Sequence, residues 1–234
     1  MPTGSGAAAL NVLSGNGPRA AVRELCRQFG DAHGIAIDVA FDVNPEVIRR
    51  GEAGEAFDVA VGNPPTIEAL IRSGKVVAGS LTDFGRSGLG VAVRSGAPKP
   101  DLSSVQAFKR ALLACKAVAF PGEGASGRYF VSVVERLGIA QEMQGKLKPM
   151  AAEDCVEVVA RGDADMVVVV ATRIVDVPGV DYVGPIPEDL QTKIGFAAGL
   201  SAGARDPEPA RALIRFLAAP EAKATLRAKG VEPV

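Results

Sequence analysis

The sequence predicts an α/β protein of two lobes, and three observations predict it. Short β-like apolar runs alternate with helix-like runs along the chain, the pattern of strands in parallel sheets flanked by helices. The alternation pauses at a turn-rich connector from Gly96 to Pro100 and restarts beyond it. The 234 residues also exceed the roughly 100 to 150 of a common single domain.

The elements follow in order. Leu10 to Leu13 reads as a strand, a Gly-rich turn follows, and Pro18 opens a helix whose apolar residues recur as Val22, Leu25, Cys26 and Phe29. Ile35 to Phe41 is the second strand. Asn44 is placed as the N-cap of the next helix, with Pro45 in its first turn and an end near Gly51. The plan repeats with a strand from Phe57 to Val61, a cap at Asn63 before Pro64, and a helix to Gly74. Leu89 to Val93 is a fourth strand. Beyond the connector, Ser103 and Gln106 have capping-box spacing at the head of a helix through Cys115. Ala117 to Phe120 reads as strand, Ser126 to Leu137 and Asp154 to Ala160 as helices. Met166 to Val170 is wholly apolar, as suits a strand buried on both faces. Ile194 to Leu200 reads as a strand returning to the first lobe, and helices opened by Asp206-Pro207 and running from Glu221 to Lys229 close the chain.

Composition removes several function classes. With 47% apolar and 23% charged residues the chain can bury a core. Its 26 basic and 27 acidic side chains leave a net charge of −1, without the basic excess that a nucleic-acid backbone demands, and Trp is absent as a stacking platform. No apolar run approaches the roughly 20 residues of a membrane span, so no membrane insertion is expected. Met1 to Ala9 lacks the pattern of an export signal, which leaves a periplasmic location if a signal has been trimmed and a cytoplasmic one otherwise. Three cysteines without CxxC spacing indicate neither a zinc site nor a disulfide framework, and no cofactor is expected. The one histidine, His33, sits in a helix-exit pattern.

Signatures of hydrolases, zinc proteases, P-loop and dinucleotide-binding proteins are missing. What remains is three strand-to-helix turns rich in small residues, where unpaired helical N–H groups carry partial positive charge and bind anions. They are Ser14-Gly15-Asn16-Gly17, Asp42-Val43-Asn44, and the turn from Gly122 to Arg128. In α/β sheets such turns converge outside the strand C-termini. In the last, Ala125, Ser126 and Gly127 let backbone approach a ligand, Ser126 adds a hydroxyl and Arg128 a planar partner for a carboxylate. The plain alternatives stay open: Ser126 and Asn44 as caps, Arg128 as a solvated cation. Arg86 is a candidate ligand contact or a hinge arginine, with Arg19 and Arg173 behind it.

Leu10-Asn-Val-Leu-Ser-Gly, Gly54-Glu-Ala-Phe-Asp-Val-Ala-Val, Gly90-Val-Ala-Val-Arg-Ser-Gly-Ala-Pro-Lys-Pro-Asp, Ala125-Ser-Gly-Arg-Tyr, Arg161-Gly-Asp-Ala-Asp and Pro187-Glu-Asp-Leu-Gln occur in this order, and Ala219-Pro-Glu-Ala and Gly230-Val-Glu-Pro close the chain. Together they resemble the type II periplasmic binding proteins, in particular the molybdate-binding branch of ABC-transporter solute receptors. The resemblance implies two lobes with a ligand cleft between them that closes on a small anion, a monomer, and an ABC permease as partner. It places lobe 1 at 1–84 plus 197–234 and lobe 2 at 85–196, with crossings near 82–88 and 193–198. The hydroxyl donors of molybdate receptors fall on Gly17 or Asn16, on Asn44 and on Val170, so a di- or tricarboxylate is expected over a tetrahedral oxyanion. The Gly-Ala-Ser-Gly turn also resembles the aconitate isomerase group, which makes a proton-shift isomerase the alternative. Its base would come from Glu123, Asp42 or Asp83.

Overall fold

A computed structural model describes residues 9–123, 125–151 and 154–234. The reading of residues 1–8 and of Gly124 therefore lies outside the described residues. The chain divides into two compact units, one formed by 1–86 with 194–234 and the other by 87–193.

The first unit alternates β1 (Leu10–Gly15), α1 (Arg19–His33), β2 (Ile37–Asp42), α2 (Asn44–Glu52), β3 (Val59–Gly62) and α3 (Pro64–Arg72), followed by β4 (Thr82–Ser87). The second contains β5 (Leu89–Arg94), α4 (Val105–Ala114), β6 (Val118–Pro121), α5 (Ala125–Arg136), α6 (Ala140–Met143), β7 (Leu147–Met150), α7 (Glu157–Arg161), β8 (Met166–Val170) and β9 (Val180–Pro185). The chain then returns to the first unit with β10 (Ile194–Leu200), α8 (Pro207–Leu217), α9 (Lys223–Ala228) and β11 (Glu232–Pro233).

Both sheets are mixed rather than parallel. The six-stranded sheet has the order β11-β4-β10-β3-β1-β2 and the five-stranded sheet β7-β6-β8-β5-β9. Within the first, β1 runs parallel to β2 and β3 in a register that sets Ser14 beside Phe41 and Val61, whereas β10 is antiparallel to β3. In the second, β6 is parallel to β7 and β8, and β5 is antiparallel to β8. The parallel strands thus end together in each sheet, and α1, α2, α3 and α5 begin there.

Period-two alternation assigns each strand of the first unit to two cores. Val12, Val61, Phe84 and Phe196 pack under α1 and α8 with Val22, Leu25, Phe29 and Leu213; Leu13, Ala60 and Ala197 pack on the other face with Val47, Ile67 and Leu70. The stripe read on α1 is buried as its spacing requires, and Gly34 ends that helix at φ 66° in the left-handed region. His33 stacks on Phe29 with ring centroids 4.0 Å apart.

Several local expectations are corrected. Val43, not Asn44, holds the extended cap position (φ −73°, ψ 150°), so Asn44 is already the first helical residue. Asn63 does precede α3, but its side chain makes no capping bond. On α4 the cap is Ser104, whose hydroxyl accepts from the Ala107 N–H; the capping-box spacing at Ser103 was one residue early. The helix expected from Asp154 begins only at Glu157. β7, β9 and β11 lie at or toward sheet edges, with Pro149, Pro185 and Pro233 in short, partly exposed segments, which is why no strand pattern marks them.

Candidate functional site

The candidate site of the first unit is the shared C-terminal end of β1, β2 and β3. Ser14 is fully buried there and its hydroxyl donates to the Gly15 carbonyl at 3.0 Å, so the side chain is turned into the fold. Gly17 lies flat against the buried Phe196 ring: a Cβ at this position would stand 2.8 Å from it. Asn16 accepts from Arg19 at 3.3 Å, and the Arg19 guanidinium lies 4.9 Å from the centre of the Phe41 ring.

Asn44 is the distinctive residue. Its Oδ1 sits between the backbones of Gly15 and Gly62, 2.4 Å and 3.1 Å from where their Cβ atoms would stand. The absence of side chains at both glycines is what admits the amide. Enclosed there, Oδ1 has no hydrogen-bond partner. Such an atom costs about 1 to 3 kcal/mol, which is unusual outside functional positions. Asp42, considered as a base, instead accepts from the Val43 N–H at 2.9 Å and from Arg50 at 3.3 Å. Arg86 pairs at 2.9 Å with Glu232, its neighbour across the β4/β11 ladder. Asp83 is exposed.

Helix starts reinforce the site's sign. The first turns of α1, α3 and α5 contain no acidic residue, and the one in α2, Glu46, is held by Arg49. The positive starts of α1, α3 and α5 thus have no acid in their own first turn, whereas that of α2 has Glu46 and the Asp42 carboxylate beside it.

In the second unit the corresponding end is formed by β6, β8 and the first turn of α5. Gly127 is obligatory, because a Cβ would stand 1.8 Å from the Pro121 carbonyl oxygen. Its absence lets the start of α5 rest directly on the end of β6, and the first N–H groups of a helix have no partner within the helix itself. Ser126 is half-buried, while Glu123 and Arg128 are exposed. Val170 closes β8 with 8% exposure and offers only its backbone. Two residues on, Thr172 is buried and its hydroxyl is without a partner. Sequence reasoning passed over it; a hydroxyl residue just after a fully apolar strand was the available signal.

Nucleophilic cysteine chemistry has no support here. Burial pushes Cys26 up to about 12 and Cys115 and Cys155 up to about 11, so the thiols stay protonated at neutral pH. No cluster of His, Cys, Asp and Glu suited to a metal ion occurs among the described residues, and no helix among them is long and apolar enough to cross a membrane.

The chain is similar to known proteins along nearly its whole described length. The family model of bacterial extracellular solute-binding proteins matches residues 10–232. The chain is 32% identical over 231 residues to an aconitate isomerase from a Pseudomonas species, covering 96% of this chain and 88% of that protein. The periplasmic molybdate-binding protein of Azotobacter vinelandii superposes with a TM-score of 0.75 at 20% identity, covering 95% of this chain and 98% of that one. The sulfate-binding protein SubI of Mycobacterium tuberculosis H37Rv gives 0.72 at 17%, covering 97% and 88%. The two structural likenesses show the α/β fold of the periplasmic binding proteins.

Proposed function

The chain belongs to the bacterial extracellular solute-binding protein family, and from that premise we propose that its ligand is a small organic di- or tricarboxylate. The observation that carries the proposal is the donor set of the first unit. Ser14 has turned its hydroxyl inward, Gly17 has no side chain, and Asn44, with its acceptor Oδ1 enclosed between two glycines, has only its NH2 as the group that can donate to an anion. Amide and backbone N–H donors at helix starts suit a planar carboxylate, whereas a tetrahedral oxyanion would lose its side-chain hydroxyls. The 32% identity to an aconitate isomerase points to the same ligand chemistry. In this reading the protein delivers its ligand to an ABC-type permease.

A second reading is favoured by that same relative: the bound tricarboxylate is isomerised by a proton shift. A base must then stand free to take the proton. Of the two carboxylates at these turns, Asp42 is engaged by Arg50 and the α2 backbone, and Glu123 is the exposed one.

A thermal-shift panel of cis-aconitate, trans-aconitate, citrate, molybdate, tungstate and sulfate tests the proposal. At about 100 times its dissociation constant a ligand stabilises by roughly 2.7 kcal/mol, a melting shift of about 5 to 11 °C for a chain of this size. Shifts confined to the carboxylates are expected; a shift with molybdate or tungstate alone overturns the ligand class. Interconversion of the aconitates, followed by ultraviolet absorbance, then separates isomerase from receptor.

A further inference from the structure

The sequence holds four asparagines, Asn11, Asn16, Asn44 and Asn63. An asparagine side chain converts to an acid without an enzyme when the backbone nitrogen of the next residue attacks its Cγ and closes a five-membered ring. Two of the four are barred from this chemistry: Asn44 and Asn63 precede Pro45 and Pro64, and a prolyl nitrogen carries no proton to give up. Asn11 precedes Val12, a buried β-branched residue in register with Val39 on one side and Val59 on the other. The sheet holds its backbone extended and encloses the Val12 nitrogen.

Asn16 differs on each count. It lies in the turn between β1 and α1, is partly exposed, and precedes Gly17. Glycine has no side chain to crowd the approach of its nitrogen to the ring-forming carbon. Packing fixes that glycine, because a Cβ at position 17 would stand 2.8 Å from the buried Phe196 ring. The Gly17 N–H makes no hydrogen bond to a described residue, whereas the Asn16 N–H is committed to the Asp42 carbonyl at 2.8 Å.

Two neighbours promote the attack. Arg19 Nη1 donates to Asn16 Oδ1 at 3.3 Å and so draws electrons away from Cγ. The positive start of α1, whose first turn has no acid, favours the nitrogen anion left when solvent base takes the Gly17 proton.

We propose that Asn16-Gly17 is a self-modification site at which the asparagine becomes aspartate or isoaspartate. The Gly17 nitrogen bonds to Asn16 Cγ, the bond from Cγ to its NH2 group breaks, and ammonia leaves with a proton from solvent. Water then opens the cyclic imide: cleavage at Cγ gives aspartate, and cleavage at the backbone carbonyl gives isoaspartate. Water is the only co-reactant, and nothing is oxidised or reduced. Either product adds a negative charge beside Arg19 at the start of α1. This consequence rests on the reading of that turn as part of the carboxylate site, where the new charge opposes that of the ligand.

The test keeps the full chain warm for days at mildly alkaline pH, folded and in urea, and maps its peptides by mass spectrometry. In the folded chain Asn16 should convert at least about tenfold more than Asn11, Asn44 and Asn63 together. A methyltransferase that labels isoaspartate should mark the same peptide, and Asn16→Gln, which needs a larger ring, should lose the signal. Conversion in urea but not in the folded chain, or conversion spread over the other asparagines, overturns the proposal. The converted protein, separated by its added charge, and Asn16→Asp should each bind the stabilising aconitate at least about tenfold more weakly than the parent. Affinity equal to the parent's overturns the effect on binding. Should no carboxylate shift the melting of the parent, the ligand reading fails by itself, and the mass measurement still decides for or against the modification.

Discussion

Replacing Gly15 by alanine moves the Asn44 amide and, by the distances, nothing else. The new Cβ would stand 2.4 Å from Asn44 Oδ1, while its next neighbours, Asn44 Cγ at 3.4 Å and the Gly62 Cα at 3.6 Å, are at ordinary contact. Gly15 is a strand residue without a positive φ, so alanine fits its backbone. The amide must withdraw by about 1 Å to restore contact distance. Withdrawal also releases an enclosed oxygen that has no partner, and relief of that cost offsets the lost packing. The ligand-free protein should therefore change by less than about 1 kcal/mol, under about 4 °C in melting temperature. Carboxylate affinity should fall by about 10- to 150-fold, since a hydrogen bond to a charged group is worth about 1.5 to 3 kcal/mol. Isothermal titration with the aconitate that stabilises the parent protein, beside melting curves without ligand, reads both quantities. Unchanged affinity would refute the role given to Asn44. A ligand-free melting temperature lowered by more than about 8 °C would show that Gly15 serves packing instead.

Other outcomes follow from the same coordinates. Arg128→Ala should weaken carboxylate binding about tenfold by titration, whereas Arg86→Ala should leave it unchanged and cost under about 1 kcal/mol, because its pair with Glu232 is about half exposed. Thr172→Val removes a buried hydroxyl without a partner, so melting should hold or rise while affinity falls; lower stability would mean that the hydroxyl is satisfied within the fold. Ser104→Ala should cost about 1 kcal/mol in urea unfolding by removing the α4 cap, and no change would return the cap to Ser103. Burial holds Cys26 protonated to about pH 12 against 9.0 for the free thiol. This raised value contributes stability that is fully present below pH 9 and is lost as pH rises toward 12, at about 1.4 kcal/mol per pH unit. Cys26→Ala should flatten the fall in unfolding free energy between pH 9.5 and 10.5 by about that slope, and an equal slope in both proteins would contradict it.

Much of this fold is legible because buried elements write their period into the chain. The stripe Val22, Leu25, Cys26, Phe29 fixes α1, and the unbroken Met166–Val170 run fixes β8. The elements that escape notice are those that bury little: β7 with Lys148 and Pro149, β9 with the half-exposed Tyr182, and the two-residue β11. Their hydrogen bonds come from a neighbouring strand rather than from a hydrophobic face, and a sequence does not record its neighbours. The same limit hides the pairing of Arg86, whose partner Glu232 lies at the far end of the chain.

The candidate site shows where local reading stops and packing takes over. Composition alone marks the Gly-rich turns, and their place at helix starts gives the sign of charge they attract. Which groups point at the ligand depends on pairs that the chain keeps apart. Asn44 acquires its position because Gly15 and Gly62, from β1 and β3, both lack the atom that would fill its place. Gly127 matters less as a flexible residue than as a gap beside the Pro121 carbonyl. Ser14, the most ligand-like side chain of the first turn by type, is committed to its own backbone. The glycines at these turns are thus read correctly as close approaches, but what approaches is another part of the protein, and the donors left for the ligand are an amide and the helix ends.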